Sequence, residues 1–330
     1  MADEEAGSLW AAADLVTPMA IRVAATLRLA DHIAAGRCMT EALAAATRAD
    51  SDALGRVLNH LVTAGILNRT ETGAHTLTPL GERLRDVHPA GERAWLDMEG
   101  AVGRAELSFV ELLHTVRTGE AAYPRRFGRA YWDDLAADPA LSASFDALMG
   151  ARLTNAPEVA AAYPWGSLGH VVDVGGGNGS LLIAILRAHA GLRGTVVDLA
   201  GAVARAREAF SSAGLSDRAD ARAGSFFDPL PAGAGGYLLS GVLHDWDDAD
   251  AARILRRCAE AASETGNVLV VEDGDGGAPD TAGDLRMLCY VRGRDRSLEQ
   301  LRALAGSVGL RSGAVIPVGY RLLVELLPVR

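Results

Sequence analysis

The sequence predicts an α/β fold: a Rossmann-like, doubly wound, mostly parallel sheet preceded by a helical N-terminal region. Three observations carry that expectation. From Gly169 onward, apolar strand-like runs alternate with helical segments, the order that builds a parallel sheet with helices on both faces. One run, Val171-Val172-Asp173-Val174, passes straight into Gly175-Gly176-Gly177-Asn178-Gly179 and then a helix. Such a turn lets backbone approach a nucleotide-like ligand. Ahead of both, the chain reads helix, turn, helix, hairpin, the order of a winged helix.

The first helical region, residues 9–36, places Leu15, Met19, Ile21, Val23, Leu27, Leu29 and Ile33 at helical spacing. Helices follow at Met39–Ala44 and Ala53–Val62, with Thr40 and Ser51 as expected N-caps and Gly65 as the stop. Leu67 to Leu77, turning at Thr72-Gly73, reads as a hairpin. Residues 92–155 are helical again and carry Trp95, Phe109, Tyr123, Phe127, Tyr131, Trp132 and Phe145; turns are expected at Tyr123-Pro124 and Asp138-Pro139. Strands are then expected at 170–175, 194–198, 219–223, 236–243, 267–272, 313–317 and 321–327. Helices are expected at 179–190, 201–213, 248–262 and 297–308, and Asp273–Gly283 as an acidic surface loop. Domains accordingly divide at 1–95, 96–165 and 166–330.

With 330 residues, 49% of them hydrophobic, the chain can bury one or two sizeable cores. Its net charge is −10, and the helix–turn–helix sets Asp50 and Asp52 against Arg48 and Arg56. Without an excess of positive charge to hold phosphates, no nucleic-acid partner is expected. A structural or dimerising use of the winged helix fits better than reading DNA. Cys38, Cys258 and Cys289 are too widely spaced for a disulfide framework or a metal knuckle. The acidic start Met1-Ala2-Asp3-Glu4-Glu5 is unlike a signal peptide, and no apolar run approaches the ~20 residues that span a bilayer. The expectation is a soluble, cytoplasmic protein without a membrane partner.

The glycine turn narrows the ligand. No Gly-Lys-Ser/Thr follows it to hold phosphates, and Ser180 stands where a dinucleotide site has its third glycine. Asp173, just before the turn, would repel a pyrophosphate. A cationic, phosphate-free adenosyl ligand such as S-adenosylmethionine (SAM) suits that charge better, with Asp198 at the next strand's end on the ribose hydroxyls. A purely structural glycine turn is the competing reading.

Chemistry is expected at the strands' carboxyl ends. The run 236–243 leads into His244-Asp245-Trp246-Asp247-Asp248, and an imidazole there is placed as a general base. Asp247 and Asp248 read as helix caps. The strand Asn267–Val271 ends in Glu272-Asp273, where a carboxylate either orients the histidine or sits solvated in a loop. Asp295, within Arg292-Gly293-Arg294-Asp295-Arg296, is either a second carboxylate near the base or the partner of an adjacent arginine. Ser297 and Gln300 form a capping box.

Taken together, Asp-Val-Gly-Gly-Gly-Asn-Gly at 173–179, Gly-Ser-Phe-Phe-Asp-Pro-Leu-Pro at 224–231 and Leu-His-Asp-Trp-Asp-Asp at 243–248 resemble one family, as do Asp-Leu-Arg-Met-Leu at 284–288 and Gly-Arg-Asp-Arg-Ser at 293–297. They resemble the SAM-dependent small-molecule O-methyltransferases, both plant caffeate and flavonoid enzymes and, more closely, bacterial enzymes of anthracycline and mitomycin-type natural products. The resemblance implies a class I methyltransferase domain at 166–330, a helical linker and substrate lid at 96–165, and a winged-helix dimerisation domain at 1–95. It further implies a homodimer, no metal, and S-adenosylhomocysteine (SAH) as product. The acceptor would be an aromatic or quinonoid small molecule with a phenolic or enolic hydroxyl. His244 becomes the base, flanked by Glu272 and Asp295. Asp173, Gly175 and Gly177 would hold the methionyl part, Asp198 the ribose, and Ser225 and Phe226 would border the adenine, with Ser240 beside the cofactor.

Three positions depart from the family pattern: Ser225 where an aspartate is common, Asp295 where a glutamate is, and Arg292 where a glycine is. Relatives that lack the histidine decarboxylate or hydroxylate with SAM bound, and retention of His244 points to methylation instead. A winged-helix, ligand-sensing regulator is the rival from another class.

Overall fold

A computed structural model of the chain describes residues 9–152, 155–274 and 280–329. The chain divides into two compact units, Met1–Leu107 and Ser108–Arg330; the boundaries read from the sequence lie at 95 and 165.

In the first unit the helices are α1 (Leu9–Ala13), α2 (Val16–Thr26), α3 (Leu29–Ala34), α4 (Thr40–Thr47) and α5 (Ser51–Thr63). They precede the antiparallel hairpin of β1 (Leu67–Arg69) and β2 (His75–Leu77), then α6 (Pro79–Glu82), α7 (Glu92–Leu96) and α8 (Ala101–Glu106). The first helical region is thus three helices, broken at Arg28, whose φ is 53°. Leu54, Leu58 and Leu61 repeat every three or four residues along α5 and are buried with Leu29, Ile33 and Leu43. Neither expected N-cap holds. Asp50, one residue before Ser51, accepts from the Ala53 N–H at 2.8 Å, and its charge also suits the helix N-terminus. Thr40 falls inside α4, and its hydroxyl lies 3.3 Å from His75 Nε2 on the hairpin. Gly65, with φ +73°, ends α5 as expected. Leu9, Trp10, Leu15 and Val16 are exposed.

The second unit opens with α9 (Leu112–Thr118), α10 (Ala122–Phe127), α11 (Tyr131–Ala137), α12 (Pro139–Arg152) and α13 (Ala156–Ala162). Tyr123-Pro124 is not a turn but the first turn of α10, where proline's missing N–H has no partner to lose. Asp138-Pro139 is one, with Asp138 accepting from the Ala140 N–H at 2.8 Å.

There follow β3 (His170–Val174), α14 (Ser180–Ala188), β4 (Arg193–Asp198), α15 (Ala200–Ser212), β5 (Ala219–Ala223), β6 (Gly236–Ser240) and α16 (Asp248–Ala262). The order closes with β7 (Asn267–Asp273), α17 (Thr281–Val291), α18 (Leu298–Gly306), β8 (Leu310–Val318) and β9 (Arg321–Pro328). Of the expected loop at 273–283, residues 275–279 lie outside the described residues; Asp273 ends β7 and 281–283 begin α17.

The strands form one seven-stranded sheet in the order β5-β4-β3-β6-β7-β9-β8. β5 to β7 are parallel, and β9 runs antiparallel to both its neighbours. Val268–Val271 of β7 and Gly236–Leu239 of β6 are buried throughout, as continuous apolar runs covered on both faces must be. One face packs Leu182, Ile185 and Leu186 of α14; the other packs Ile254, Leu255 and Cys258 of α16. β3 sits between β4 and β6, where the winding reverses, and the crevice at that switch point is where such sheets bind ligands. Asp173, Asp198, Ser240 and Glu272 all stand at or next to these carboxyl ends.

Candidate active site

The glycine turn is bound by close approach. A Cβ on Gly175 would lie 2.9 Å from Val242 Cγ2, and Gly175 has φ +74°. One on Gly179 would lie 2.7 Å from the Phe210 ring, at φ +77°. No other residue type fits either place without strain. Asp198 grips the turn from β4: its Oδ2 accepts from the Gly177 N–H at 2.8 Å and its Oδ1 from the Leu199 N–H at 2.6 Å. α12 reaches α15 beside the turn, where Arg205 donates to Asp146 (2.5 Å) and to Ser142 Oγ (2.6 Å).

Asp173 lies beneath the turn, so close that a Cβ on Gly176 would sit 2.5 Å from its Oδ2. The residue is 1% exposed, and neither carboxylate oxygen has a hydrogen-bond partner among the described residues. Burial, and then the neighbouring Asp198 charge, push its pKa up to about 7. An unpartnered carboxylate buried under a backbone cradle is a seat for a cation, so these residues fit a sulfonium- and ammonium-bearing adenosyl cofactor. Phe226 borders the same turn, 3.6 Å from where a Gly175 Cβ would stand, and meets Trp246 edge-on at 5.6 Å. Ser225 turns inward instead: its hydroxyl accepts from the Phe227 N–H at 3.2 Å. Ser240 accepts from Arg321 Nη1 at 3.1 Å.

One strand further on, β6 ends, Gly241 turns the chain at φ +65°, and a short 3-10 turn (Leu243–Asp245) carries His244. Its Nδ1 donates to Glu272 Oε2 at 2.6 Å. The other Glu272 oxygen accepts from the Leu243 N–H at 2.9 Å and the Val242 N–H at 3.2 Å. Glu272 therefore fixes both the ring and the backbone that bears it. Burial alone would raise the Glu272 pKa, but His244 and Arg321 hold it below the usual range. For His244 burial opposes protonation, yet Glu272, Asp245 and Asp295 outweigh it and push the pKa up to about 10.

The carboxylate nearest the other ring nitrogen is Asp245, whose Oδ1 lies 3.4 Å from Nε2. Asp295 bears on the ring through its charge, and its backbone N–H donates to Asp284 Oδ1 at 2.9 Å. Burial raises the Asp295 pKa, against the pull of His244.

Two supports of this turn were not read from the sequence. Arg296, with a side chain 5% exposed, donates to the Leu243 carbonyl at 2.7 Å and the Trp246 carbonyl at 2.8 Å, clamping the turn from both ends. Arg321 reaches in from β9 to the Val271 carbonyl at 2.6 Å. Gly293 presses on the same turn: a Cβ there would fall 2.1 Å from the His244 carbonyl oxygen. The only advance signal was the motif holding Gly293 and Arg296; Arg321 had none. Arg292 caps α17 at φ 62°, a conformation glycine adopts without strain, and pairs with Asp247 at 3.3 Å.

Aromatic side chains adjoin the histidine turn. Tyr131 feels the Asp245 charge and, after burial, is raised by it. Its ring stands 5.0 Å from Trp132 and 6.2 Å from Tyr290, with Phe145 5.4 Å from Trp132. Among the described residues no cluster of three or more His, Cys, Asp or Glu could hold a metal, and no helix is long and apolar enough to cross a membrane.

A family model of the O-methyltransferase domain matches residues 109–311, and one of the O-methyltransferase dimerisation domain matches residues 10–85. The chain is 56% identical to 2,7-dihydroxy-5-methyl-1-naphthoate 7-O-methyltransferase of Streptomyces carzinostaticus, over 96% of each chain. It is 49% identical to aclacinomycin 10-hydroxylase RdmB of Streptomyces purpurascens, over 90% of this chain and 82% of that one. Among solved structures, it is similar to an O-methyltransferase (NcsB1) from neocarzinostatin biosynthesis in complex with SAM and 2-hydroxy-5-methyl naphthoic acid. That likeness has a TM-score of 0.94 at 55% identity and covers 98% of this chain and 99% of the other.

Proposed function

Because this chain belongs to the O-methyltransferase family, we propose that it methylates a ring hydroxyl of a naphthoate-like aromatic acceptor, with SAM as donor and His244 as general base. The observation that carries the base assignment is the 2.6 Å bond from His244 Nδ1 to Glu272. In the neutral ring that bond puts the lone pair on Nε2; because the carboxylates favour the protonated ring, the share of His244 able to act as base, and turnover with it, should rise with pH. SAM supplies an electrophilic methyl group on a sulfonium and departs as SAH.

The chain's own residues do the rest. Nε2 takes the acceptor's hydroxyl proton as the oxygen forms its bond to the methyl carbon, and Glu272 holds the imidazolium so formed. Asp173 receives the cofactor's positive charge beneath the turn, and Asp198 is placed to accept from the ribose. Trp132 and Phe145, half-buried and packed beside the buried Tyr131, offer flat apolar surface for a planar acceptor. Holding the two reactants in line can contribute ~7–11 kcal/mol, more than the base does.

The name of the 49% identical relative raises hydroxylation as a second reading. Incubation with methyl-labelled SAM and a dihydroxynaphthoate separates the two: label in the ring ether with one SAH per product supports transfer. An added ring oxygen without SAH would overturn it.

Removing Asp198 takes away both a ribose acceptor and its hold on the glycine turn. Asp198→Ala should weaken SAM and SAH by ~10–100-fold, since bonds to a charged acceptor contribute ~1.5–3 kcal/mol. Calorimetry reads this directly, and unchanged affinity would take Asp198 out of the cofactor site.

Assembly is expected to follow the matched dimerisation domain. The exposed Leu9, Trp10, Leu15 and Val16 give the first unit an apolar surface that a second copy would bury. Light scattering should give a dimer at micromolar concentration; a stable monomer of 34.4 kDa would contradict it.

A further inference from the structure

Arg321 opens β9 and is only 6% exposed, yet nothing in the glycine turn or the histidine motif calls for it. Its guanidinium passes across β7: Nη2 donates to the Val271 carbonyl at 2.6 Å and Nη1 to Ser240 Oγ on β6 at 3.1 Å. Both partners are neutral. The nearest carboxylate oxygen recorded for its charge is Asp273 Oδ1, 3.6 Å from Nε on a half-exposed side chain. A cation so buried needs compensation.

The same guanidinium lies next to the base. A Cβ on Gly241 would stand 3.4 Å from Arg321 Nη2 and 3.5 Å from His244 Cε1, so the guanidinium and the imidazole both pack against Gly241. The carboxylates that bear on His244 are Asp245 on its own turn, Glu272 on β7 and Asp295 in the loop after α17; Asp273 and Asp284 bear in turn on Asp295. Arg296 faces the turn from that loop but spends its donors on backbone carbonyls and Asp248. All three carboxylates that bear on the ring favour its protonated form.

We infer that Arg321 is a positioning residue for the methyl transfer: its buried cation anchors the Glu272 strand end beside Ser240 and, across Gly241, opposes the carboxylates that hold the proton on His244. This rests on His244 being the base. It also gives Ser240 a role, as the link between the cofactor wall and the base. Glu272 already shows the influence, since Arg321 is among the groups holding its carboxyl low.

The test reads the ring itself rather than turnover. The wild-type protein and Arg321→Gln are labelled with nitrogen-15 histidine, His244 is assigned by loss of its signal in His244→Gln, and both are titrated by NMR. At the pH where half of the wild-type His244 is neutral, about a tenth or less should be neutral in Arg321→Gln, a shift of about one unit. Arg321→Lys, which keeps the charge, should stay near one half. An unmoved midpoint in Arg321→Gln, or an equal shift in Arg321→Lys, overturns the inference. Should Arg321→Gln fail to fold, Arg321→Met, which keeps the length of the side chain without its charge, is titrated instead: the same shift is expected, and an unmoved midpoint overturns the inference. Failure of the base assignment shows elsewhere, as full turnover in a His244 variant.

Discussion

Replacing His244 with alanine is expected to lower turnover by roughly 10²–10⁴-fold and to leave SAM affinity almost untouched. The ring reaches the cofactor cradle only through Gly241 and Val242, so its loss removes a proton acceptor and no cofactor contact described above. The deficit should shrink for acceptors acidic enough to ionise unaided, and Glu272→Gln should give a smaller one, because orienting a base matters less than being one. An alanine variant that methylates a weakly acidic phenol at the wild-type rate would leave positioning to explain catalysis. Stability should respond as well. The His244 pKa is raised from 6.5 to about 10, so its contribution is complete below pH 6.5 and is lost as pH rises through 10. The wild-type melting temperature should therefore fall more steeply across that window than that of His244→Ala.

Asp173→Asn is expected to weaken SAM by ~30-fold or more, the scale of losing one partner from a buried charge pair, and to make the free protein more stable at pH 8. The two effects share one cause. A carboxyl raised from 3.8 to about 7 stabilises the fold only while protonated, and that contribution is lost as pH rises from 3.8 through 7. Above that, the asparagine removes a buried, unpartnered charge, a gain of up to ~4 kcal/mol at 1.36 kcal/mol per unit. Thermal melts at pH 5 and 8 read the stability, and calorimetry reads the affinity. Equal losses for SAM and SAH place the ammonium on Asp173; a loss for SAM alone places the sulfonium there. Unchanged binding of both would remove Asp173 from the cradle.

How far the molecule can be read in advance depends on how local each cause is. The glycine turn, the strands ending at Asp173, Asp198 and Glu272, and the capping box at Ser297 each rest on a short stretch with its own physics, and all appear where expected. Asp247, expected as a cap, accepts from the Asp250 N–H at 3.0 Å. Thr40 and Ser51 fail as caps because a hydroxyl's best partner can lie across a hairpin, and because a neighbouring aspartate competes for the same N–H. The reversed direction of β9 has no local signature. For that reason Arg321 stayed invisible while Glu272, on the strand beside it, did not. Asp245 was likewise given no role in advance, since its closeness to Nε2 comes from the 3-10 turn and not from the motif.

The seat of β9 has a further consequence, for the way the protein is made. It is the last strand of the sheet in sequence, yet it fills the space between β7 and β8. A ribosome delivers β7 and β8 first, and until Arg321–Pro328 has emerged, β7 presents a bare edge whose Val268–Val271 are all apolar. Such an edge accepts whatever strand arrives, from another nascent chain as readily as from its own. At ~5–20 residues per second, the 55 residues from Asp273 to Pro328 take roughly 3–11 seconds. Within that time this edge of β7 has no partner from its own sheet.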